Sequence, residues 1–401
     1  MGALEGIRVI EFAEGVSGPY CARLFADFGA DVVKVEAPEK GDEARAWGPF
    51  PGDVPHVEKS GTFQFLNTNK RGISLDVETP RGRELFLELL AGADALIENQ
   101  HPRAMRQLGL DHASLAADFP DLVQISITPY GQTGPYSEWK GCDLNAFHFS
   151  GAGSRYCGRP DEMPLEHGTF SADFFGAFTG ATWGLAAILG RKRTGGGQLV
   201  DVSCAEAIAA TFVGGQNIGG YVQDGRFDSR TGVGMPLAAP ATIMPCKDGH
   251  VWMLALELGQ WKGLVKAIGN PEWAQAEIFE DMFMRGQNAD AIYPLLEMWT
   301  LEHGKDEIME RCQAAGVPVT AVFTVPEAAA HPHLRERGYI VEIEHPLLGR
   351  LEYLGAPFKL PACPGGPSTH APLLGQDNEA IYAALGLDAA MQDELRGEGV
   401  I

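Results

Sequence analysis

The fold is decided by residues 7–38, which read IRVIEFAEGVSGPYCARLFADFGADVVKVEAP. The apolar run from Ile7 to Phe12 predicts a buried strand, and ADVVKVEAP predicts a second one. Between them, GPYCARLFADFG predicts a short helix that ends at Gly29. A strand, a helix and a strand at this spacing predict two parallel strands joined by a right-handed crossover.

The same alternation continues along the chain. GISLDV (72–77), DALIEN (94–99) and DLVQISITPYG (121–131) each predict a strand. Thr79 and Pro80 have the residue types of a helix N-cap and first turn, and the helix that follows should stop near Gly92. This pattern predicts an α/β fold with a large, doubly wound, Rossmann-like domain over residues 1–204.

The pattern changes after about residue 205. PATIMPCKDGHVWMLAL (240–256) predicts a hairpin with its turn at 247–249, and helical segments follow at 258–268, 289–301 and 304–315. A second hairpin is predicted over 338–360. We therefore expect a smaller α+β domain at 225–330 and a C-terminal segment, 331–401, that returns to the large domain.

Composition excludes several classes of function. The chain has 31 basic and 53 acidic residues and a formal net charge of -22, which argues against nucleic acid or an anionic membrane as a partner. No uninterrupted apolar run reaches a membrane-spanning length, and the N-terminus lacks the pattern of a signal peptide. The seven scattered cysteines contain no CxxC or zinc-ligand spacing, so we expect a reduced, cytoplasmic protein with no metal site.

The stretch GTFSADFFGAFTG (168–180) places one carboxylate, Asp173, among small and aromatic residues just before a long apolar helix. Such an acid either caps the helix or takes part in chemistry, and the pattern alone does not decide between these roles. The chain contains no GxGxxG after the first strand, no P-loop and no GxSxG motif. Dehydrogenase, P-loop and serine hydrolase functions are therefore disfavoured.

The order of several short motifs resembles the family III CoA-transferases, the CaiB/BaiF family that also includes α-methylacyl-CoA racemases. The matching pieces are LEGIRVIEF (4–12), NKRGISLD (69–76), ALIEN (95–99), YGQTGPY (130–136), ADFFGAFTG (172–180), RTGGGQLVDVS (193–203) and APLLGQ (371–376). The resemblance implies an interlocked homodimer in which each chain threads through the other. It also implies acyl-CoA and carboxylic acid substrates, with CoA as substrate and no resident cofactor.

The resemblance implies roles for individual residues. Asp173 falls on the position of the family's nucleophile, which attacks the acyl-CoA carbonyl. Gly232 and Gly234 would let backbone N–H groups approach a developing oxyanion, and Asp143 and Val16 would support the site. The positions that contact CoA correspond to Leu75, Asn99, Gln100, Arg106 and Lys140.

The chain departs from the family pattern at several of these positions. Gln100 replaces a common aromatic residue, and Gln107 occupies the position of a common Arg, so Arg106 is the expected phosphate contact. Ala37 replaces another Arg, for which Lys40 could substitute. CoA phosphates require a local basic pocket despite the acidic composition.

Three functions remain open from the sequence. The first is a CoA-transferase with succinyl-CoA as a reasonable donor. The second is a racemase, which the resemblance disfavours because GCDLNAF (141–147) has Cys142 where racemases have their His. His167 is the nearest alternative base. The third is a catalytically silent CoA-binding subunit, which the retention of Asp173 disfavours.

Overall fold

The computed structural model describes residues 2–211, 218–225, 227, 229–234 and 238–401. The chain divides into two compact units: the first comprises residues 1–153, 166–227 and 335–401, and the second comprises 154–165 and 228–334. The first unit thus combines residues from the first and the last of the three predicted segments.

The first unit is built on a parallel sheet that alternates with helices. Its elements, with α7 extending into the second unit, are β1 Arg8–Phe12, α1 Ser17–Ala26, β2 Asp31–Glu36, α2 Gly61–Leu66, β3 Arg71–Ser74, α3 Pro80–Leu90, β4 Ala95–Glu98, α4 Pro102–Leu108, α5 His112–Leu115, β5 Val123–Thr128, α6 Asp143–Phe149, α7 Ala152–Tyr156, α8 Ser171–Thr194, β6 Leu199–Ser203, α9 Cys204–Ile208 and α10 Gly219–Asp224.

The six strands are ordered β3-β2-β1-β4-β5-β6, and every neighbouring pair is parallel. This order confirms the predicted α/β fold with a central parallel sheet. The strands are apolar because helices cover both faces, and Val9, Ile10, Val33, Leu96 and Ile125 are fully buried. The N-cap prediction is also confirmed, since the Thr79 hydroxyl accepts a 3.0 Å hydrogen bond from the Gly82 N–H.

Helix α8 approaches the sheet very closely through three glycines spaced four residues apart. A Cβ atom at Gly176, Gly180 or Gly184 would lie within 3 Å of Cys204, Ile127 or Ile125 respectively. By length and composition α8 could cross a membrane, but it packs against α1, α9, β5 and β6. Its other face exposes Phe178, Trp183 and Leu189, among other apolar side chains.

The second unit has its own sheet and core. Its elements, with α16 at the return to the first unit, are β7 Ala241–Cys246, β8 Gly249–Leu254, α11 Leu258–Ala267, α12 Met282–Gln287, α13 Ala289–Thr300, α14 Lys305–Ala314, β9 Val319–Ala321, α15 Val325–Ala330 and α16 Pro332–Glu336. Strands β7, β8 and β9 form an antiparallel sheet in that order, as the first predicted hairpin requires. Trp261, Ile292 and Ile308 lie in its apolar core.

The chain then completes the first unit with β10 Ile340–His345, β11 Gly349–Leu354, α17 Asn378–Ala384 and α18 Ala389–Gly397. Strands β10 and β11 form the second predicted hairpin. The segment around α17 covers the open edge of β3: the Gly72 and Ser74 N–H groups donate to Oδ2 of Asp377 and Oδ1 of Asn378. The edge strand is therefore not left with unpaired backbone groups.

Candidate active site

The site forms where the strand order reverses, between the carboxyl ends of β1 and β4. Ligands of doubly wound sheets bind in the crevice at this point. Here Asn99 follows β4 and clamps the loop after β1: its Nδ2 donates to the Glu14 carbonyl at 2.7 Å, and its Oδ1 accepts from the Glu14 N–H at 3.0 Å. The Asn99 amide therefore fixes the shape of the crevice.

Buried ion pairs fix the position of the same loop. Oδ1 of Asp42 accepts a 2.8 Å hydrogen bond from the Gly15 N–H, and its Oδ2 lies 2.7 Å from Nζ of Lys34. Lys34 is also 2.8 Å from Glu11, and all three charged side chains are buried. Removing one partner would leave a buried charge uncompensated, so the loop is strongly constrained.

A cavity of about 630 Å³ opens beside this loop and contains the carboxylate of Asp173 in its wall. We call it the Asp173 cavity. Four residues predicted for the site line it: Val16, Asn99, Asp143 and Asp173. Stacked rings of Trp47 and Phe170, with centroids 5.4 Å apart, form part of the same wall. Asp173 therefore lies in a partly apolar enclosure, among small and aromatic residues as in the sequence.

Asp143 caps the helix that carries Asp173. Helix α8 begins after Phe170, which provides no side-chain cap, and Oδ1 of Asp143 accepts a 2.9 Å hydrogen bond from the Asp173 N–H. A carboxylate at a helix N-terminus interacts favourably with the unpaired N–H groups and the helix dipole. Asp143 thus performs the capping that the sequence allowed for Asp173, and the Asp173 carboxylate contacts Sγ of Cys204.

The Asp173 carboxylate has few hydrogen-bond donors around it. Among the described residues, its hydrogen-bonding contact is with Sγ of Cys204, which lies 3.9 Å from Oδ1. Burial, followed by the negative charges of Asp143 and Glu43, raises the pKa of Asp173 to about 7, although the hydrogen bond from the thiol lowers it. Burial also raises the pKa of the Cys204 thiol, which therefore stays protonated and acts only as a donor.

The electrostatic character of the cavity is strongly negative. The described residues that line it include five carboxylates and no Lys, Arg or His: Glu14, Glu43, Asp143, Glu166 and Asp173. Burial also raises the pKa values of Glu14 and Glu43, and the charge of Asp42 adds to both. A carboxylate in these surroundings is poorly solvated and is not neutralised by a cation, which favours nucleophilic attack once it is ionised.

Two further cavities adjoin the Asp173 cavity at the same edge of the sheet. The Lys140 cavity, about 350 Å³, shares Asn99 and Gly141 with it. The Leu75 cavity, about 1010 Å³, shares Gln100 with the Lys140 cavity and Glu14 with the Asp173 cavity. The structure thus places Leu75, Asn99, Gln100 and Lys140 in the walls of adjoining cavities, although their contact with CoA stays a prediction.

Positive charge in this crevice is sparse. Lys140 lines a cavity whose described walls hold no carboxylate, whereas Lys40 and Arg396 line the Leu75 cavity together with Glu14, Glu39, Asp76, Glu78 and Glu379. Arg106 lies on α4, pairs with Glu138 together with Arg103, and is absent from the described walls of these three cavities. The role predicted for Arg106 therefore requires that it release Glu138.

Gly232 and Gly234 lie in the second unit. Both have positive φ values, 72° and 90°, which favour glycine, and a Cβ at Gly234 would lie 2.5 Å from the Ala241 carbonyl oxygen. These observations explain the two glycines locally. The proposed contact with an oxyanion stays a prediction.

Several residues of the site were missed by the sequence analysis: Glu14, Trp47, Glu43, Glu166 and Cys204. Cys204 directly follows β6, so its position at the carboxyl edge of the sheet was a usable signal. Glu166 lies in an irregular segment and had no such signal. Within the part of the chain that the structure describes, no cluster of His, Cys, Asp and Glu is arranged to hold a metal ion.

Comparison with known proteins gives the site its context. The family model of CoA-transferase family III matches residues 4–378. The succinyl-CoA–D-citramalate CoA-transferase of Chloroflexus aurantiacus is 33% identical over 95% of this chain and 94% of its own length. The succinate–glutarate CoA-transferase of Agrobacterium fabrum is 33% identical over 85% of each chain.

A solved structure agrees with these matches. A CaiB/BaiF family protein from Brucella suis has a TM-score of 0.86 and 31% identity, covering 96% of this chain and 99% of that one. The fold and the acidic cavity at the switch point therefore belong to an α/β enzyme of the CaiB/BaiF type. The chain belongs to CoA-transferase family III, a family of acyl-CoA:carboxylate CoA-transferases.

Proposed function

We propose that this enzyme transfers CoA from succinyl-CoA to a free carboxylic acid through covalent intermediates on Asp173. The observation that carries the proposal is the Asp173 carboxylate itself, which lines a cavity with one weak thiol donor and no cation among the described wall residues. The use of succinyl-CoA is supported by relatives whose names include it.

Each step of the proposed reaction balances. The Asp173 carboxylate attacks the acyl-CoA carbonyl, which forms a mixed anhydride and breaks the thioester to release CoA thiolate. The thiolate attacks the aspartyl carbonyl, which forms an aspartyl-CoA thioester and releases the donor's free acid. The acceptor carboxylate then attacks the aspartyl-CoA thioester, which forms a second mixed anhydride and releases CoA thiolate. The thiolate attacks the acceptor's carbonyl in this anhydride, and the acceptor leaves as its CoA thioester. Asp173 is regenerated as a carboxylate, and no resident cofactor or metal is needed.

Each cavity has a part in this scheme. The thioester lies in the Asp173 cavity, and the pantetheine and nucleotide extend past Asn99 and Gln100 into the Lys140 and Leu75 cavities. Lys140, with Lys40 and Arg396, supplies positive charge for the phosphates, and Arg106 joins them if Glu138 is displaced. Backbone N–H groups near Gly232 and Gly234 would stabilise the oxyanion.

A racemase would need a second acid/base group beside the α-carbon. Cys142 lines the cavity, but its thiol contacts Oδ1 of Asn145 at 3.2 Å, and the His167 ring contacts the Ser171 hydroxyl at 3.2 Å. Neither contact favours the racemase over the transferase.

We also propose that the protein is a cytoplasmic homodimer with interlocked chains. Phe178, Trp183 and Leu189 on the exposed face of α8 are 47%, 62% and 72% exposed, which a second copy would cover. All seven cysteines are free thiols, in agreement with a reducing compartment. One relative is named as the alpha subunit of a CoA-transferase, so a hetero-oligomer is the competing arrangement, and light scattering of the purified chain decides between them.

Mass spectrometry tests the covalent route. The purified enzyme is incubated with acyl-CoAs that include succinyl-CoA, and then quenched with hydroxylamine or borohydride. We expect a modified Asp173 with the true donor, no modification in Asp173→Ala, and normal modification in Asp118→Asn, an exposed control. Absence of any adduct despite CoA binding would contradict the proposal, and α-proton exchange would then separate a racemase from a silent subunit.

A further inference from the structure

The first turn of α1 carries hydrogen-bond donors that the protein does not use. Val16, the N-cap residue, supplies no side-chain cap. Within the part of the chain that the structure describes, no acceptor binds the backbone N–H groups of Val16, Ser17 and Gly18, although all three residues are buried. A buried N–H without a partner costs free energy, and the N-terminus of a helix attracts negative charge. This turn is therefore suited to a negatively charged oxygen.

The Ser17 side chain adds a donor of its own to this turn. Ser17 is 5% exposed and lines the Asp173 cavity, and its Oγ lies 3.1 Å from Nδ2 of Asn99. The Glu14 backbone fixes the orientation of the Asn99 amide, because Oδ1 accepts from the Glu14 N–H and Nδ2 donates to the Glu14 carbonyl. Since Nδ2 can only donate, the Ser17 oxygen is the acceptor, and its O–H has no acceptor among the described residues. The O–H therefore points away from Asn99 and is available to a ligand of the cavity that Ser17 lines.

The first turn of α1 packs beside the first turn of α8. Tyr20, one turn after Ser17, meets the ring of Phe174 edge to face with centroids 4.9 Å apart. Phe174 directly follows Asp173, and both Ser17 and Asp173 line the same cavity. The unused donors of α1 and the carboxylate of Asp173 therefore belong to one site.

The proposed reaction requires donors of this kind. When the Asp173 carboxylate attacks the thioester, a C–O bond forms and one electron pair of the C=O bond moves to the carbonyl oxygen, which becomes an oxyanion. Several other donors in the cavity wall are engaged: the Asn99 amide donates to Glu14 and Ser17, and the Cys142 thiol contacts Asn145. The carboxylates of the wall would repel an oxyanion, so its stabilisation depends on donors that remain free.

We propose that Ser17 is a catalytic residue: its hydroxyl, together with the free N–H groups at the start of α1, donates hydrogen bonds to this oxyanion. The inference rests on the proposed function and adds a side-chain donor to the backbone groups near Gly232 and Gly234. Ser17 keeps its proton throughout. When the intermediate collapses, the C=O bond re-forms, the C–S bond breaks, and the CoA thiolate leaves with the bonding pair. Because the oxyanion carries more charge than the carbonyl oxygen of the bound thioester, these hydrogen bonds strengthen in the transition state.

Kinetics test the role of the hydroxyl. Ser17→Ala removes the hydroxyl and keeps the backbone N–H groups, so the rate of Asp173 acylation by succinyl-CoA should fall about a hundredfold while KM changes less than about threefold. Ser114→Ala, the same change at an exposed position, is the control and should leave the rate unchanged. Thr128→Val removes another buried hydroxyl of the cavity wall and serves as the comparison. A Ser17→Ala rate within about threefold of the wild-type rate would overturn the proposal, as would a loss confined to Thr128→Val.

Infrared spectroscopy tests the same contact without any transfer of CoA. Succinyl-CoA labelled with ¹³C at its thioester carbonyl is bound to Asp173→Ala, which cannot react, and to the double variant Ser17→Ala/Asp173→Ala. A hydrogen bond from Ser17 weakens the C=O bond, so the isotope-edited carbonyl band should lie at lower frequency in the single variant. Equal frequencies would overturn the assignment of Ser17. If the wild-type enzyme forms no adduct on Asp173, the proposed function fails, and the carbonyl frequency still decides whether Ser17 contacts the thioester.

Discussion

The backbone N–H of Asp173 donates a 2.9 Å hydrogen bond to Oδ1 of Asp143, so a carboxylate on α6 caps the helix that carries the proposed nucleophile. One contact therefore does two things. It fixes the first turn of α8, and it places a negative charge beside a second carboxylate.

Substitution of Asp143 should separate these two effects. Asp143→Ala removes the cap and should lower the free energy of unfolding by about 1 kcal/mol. Asp143→Asn keeps an oxygen that can accept the N–H but removes the charge, so its stability should change less. Because the charge of Asp143 raises the pKa of Asp173, the acid limb of the pH–rate profile of Asp143→Asn should move to lower pH. Equal stabilities and unchanged profiles for both variants would contradict this reading.

Asp173→Asn should stabilise the protein, and more so at higher pH. The pKa of Asp173 is raised from 3.8 to about 7, so ionising it in the folded state costs free energy as pH rises through this window. Since one pKa unit corresponds to about 1.4 kcal/mol, the advantage of Asp173→Asn should grow by roughly 2–3 kcal/mol from pH 5 to pH 8.

Denaturant unfolding at several pH values measures this advantage. Asp118→Asn makes the same chemical change at an exposed position and serves as the control. If the free energies of unfolding of Asp173→Asn and the wild-type protein differed by the same amount at every pH, ionising Asp173 in the folded state would cost no free energy.

In Cys204→Ala, the acid limb of the pH–rate profile for Asp173 acylation should move to higher pH. The thiol is the side-chain donor that lowers the pKa of Asp173, and alanine cannot replace it. Cys312→Ala, a buried cysteine in the core of the second unit, is the matched control and should leave the limb in place. The rate is measured by intact-mass spectrometry after rapid quenching, and coincident profiles would rule out the thiol contact.

Gly184→Ala should destabilise the protein by about 1–3 kcal/mol because a well-packed interface is overfilled. The new Cβ would lie 2.2 Å from Cδ1 of Ile125. Gly190→Ala lies on the same helix with nothing within 4 Å, so it should be neutral or stabilising by up to about 1 kcal/mol. Ile125→Val should partly rescue Gly184→Ala, and thermal unfolding of the single and double variants measures this coupling. Similar effects of the two alanine substitutions would contradict the packing argument.

Lys140→Gln should raise KM for acyl-CoA about tenfold, the size expected for the loss of one charge-assisted hydrogen bond to phosphate. KM for the corresponding acyl-pantetheine, which lacks the nucleotide, should not change. Lys266→Gln, at an exposed position of the second unit, is the control. An equal rise for both thioesters would place the contact of Lys140 elsewhere.

The parallel sheet could be predicted from the sequence because it depends on local patterns, whereas the site residues were inferred from the resemblance to a family and their roles stay predictions. Strands with regular spacing identify the carboxyl edge, and Val16, Asn99, Asp143 and Asp173 all line a cavity there. The partner of each group was not predictable, since it comes from a distant segment. Glu166 reaches the cavity wall from an irregular segment, and Arg106 pairs with Glu138, which is 32 residues away. Local pattern carries no information about such pairs.

The C-terminal segment that covers the edge of β3 determines when the first unit can be completed during translation. The Asp76 N–H donates to the Val400 carbonyl, and the Tyr382 hydroxyl donates to the Ser74 carbonyl. Asp76 and Ser74 therefore lack these partners until residues more than 300 positions later have been synthesised. During that interval the ribosome also synthesises the second unit. The nascent chain must therefore carry an exposed sheet edge, a natural target for chaperones, until its C-terminal helices emerge.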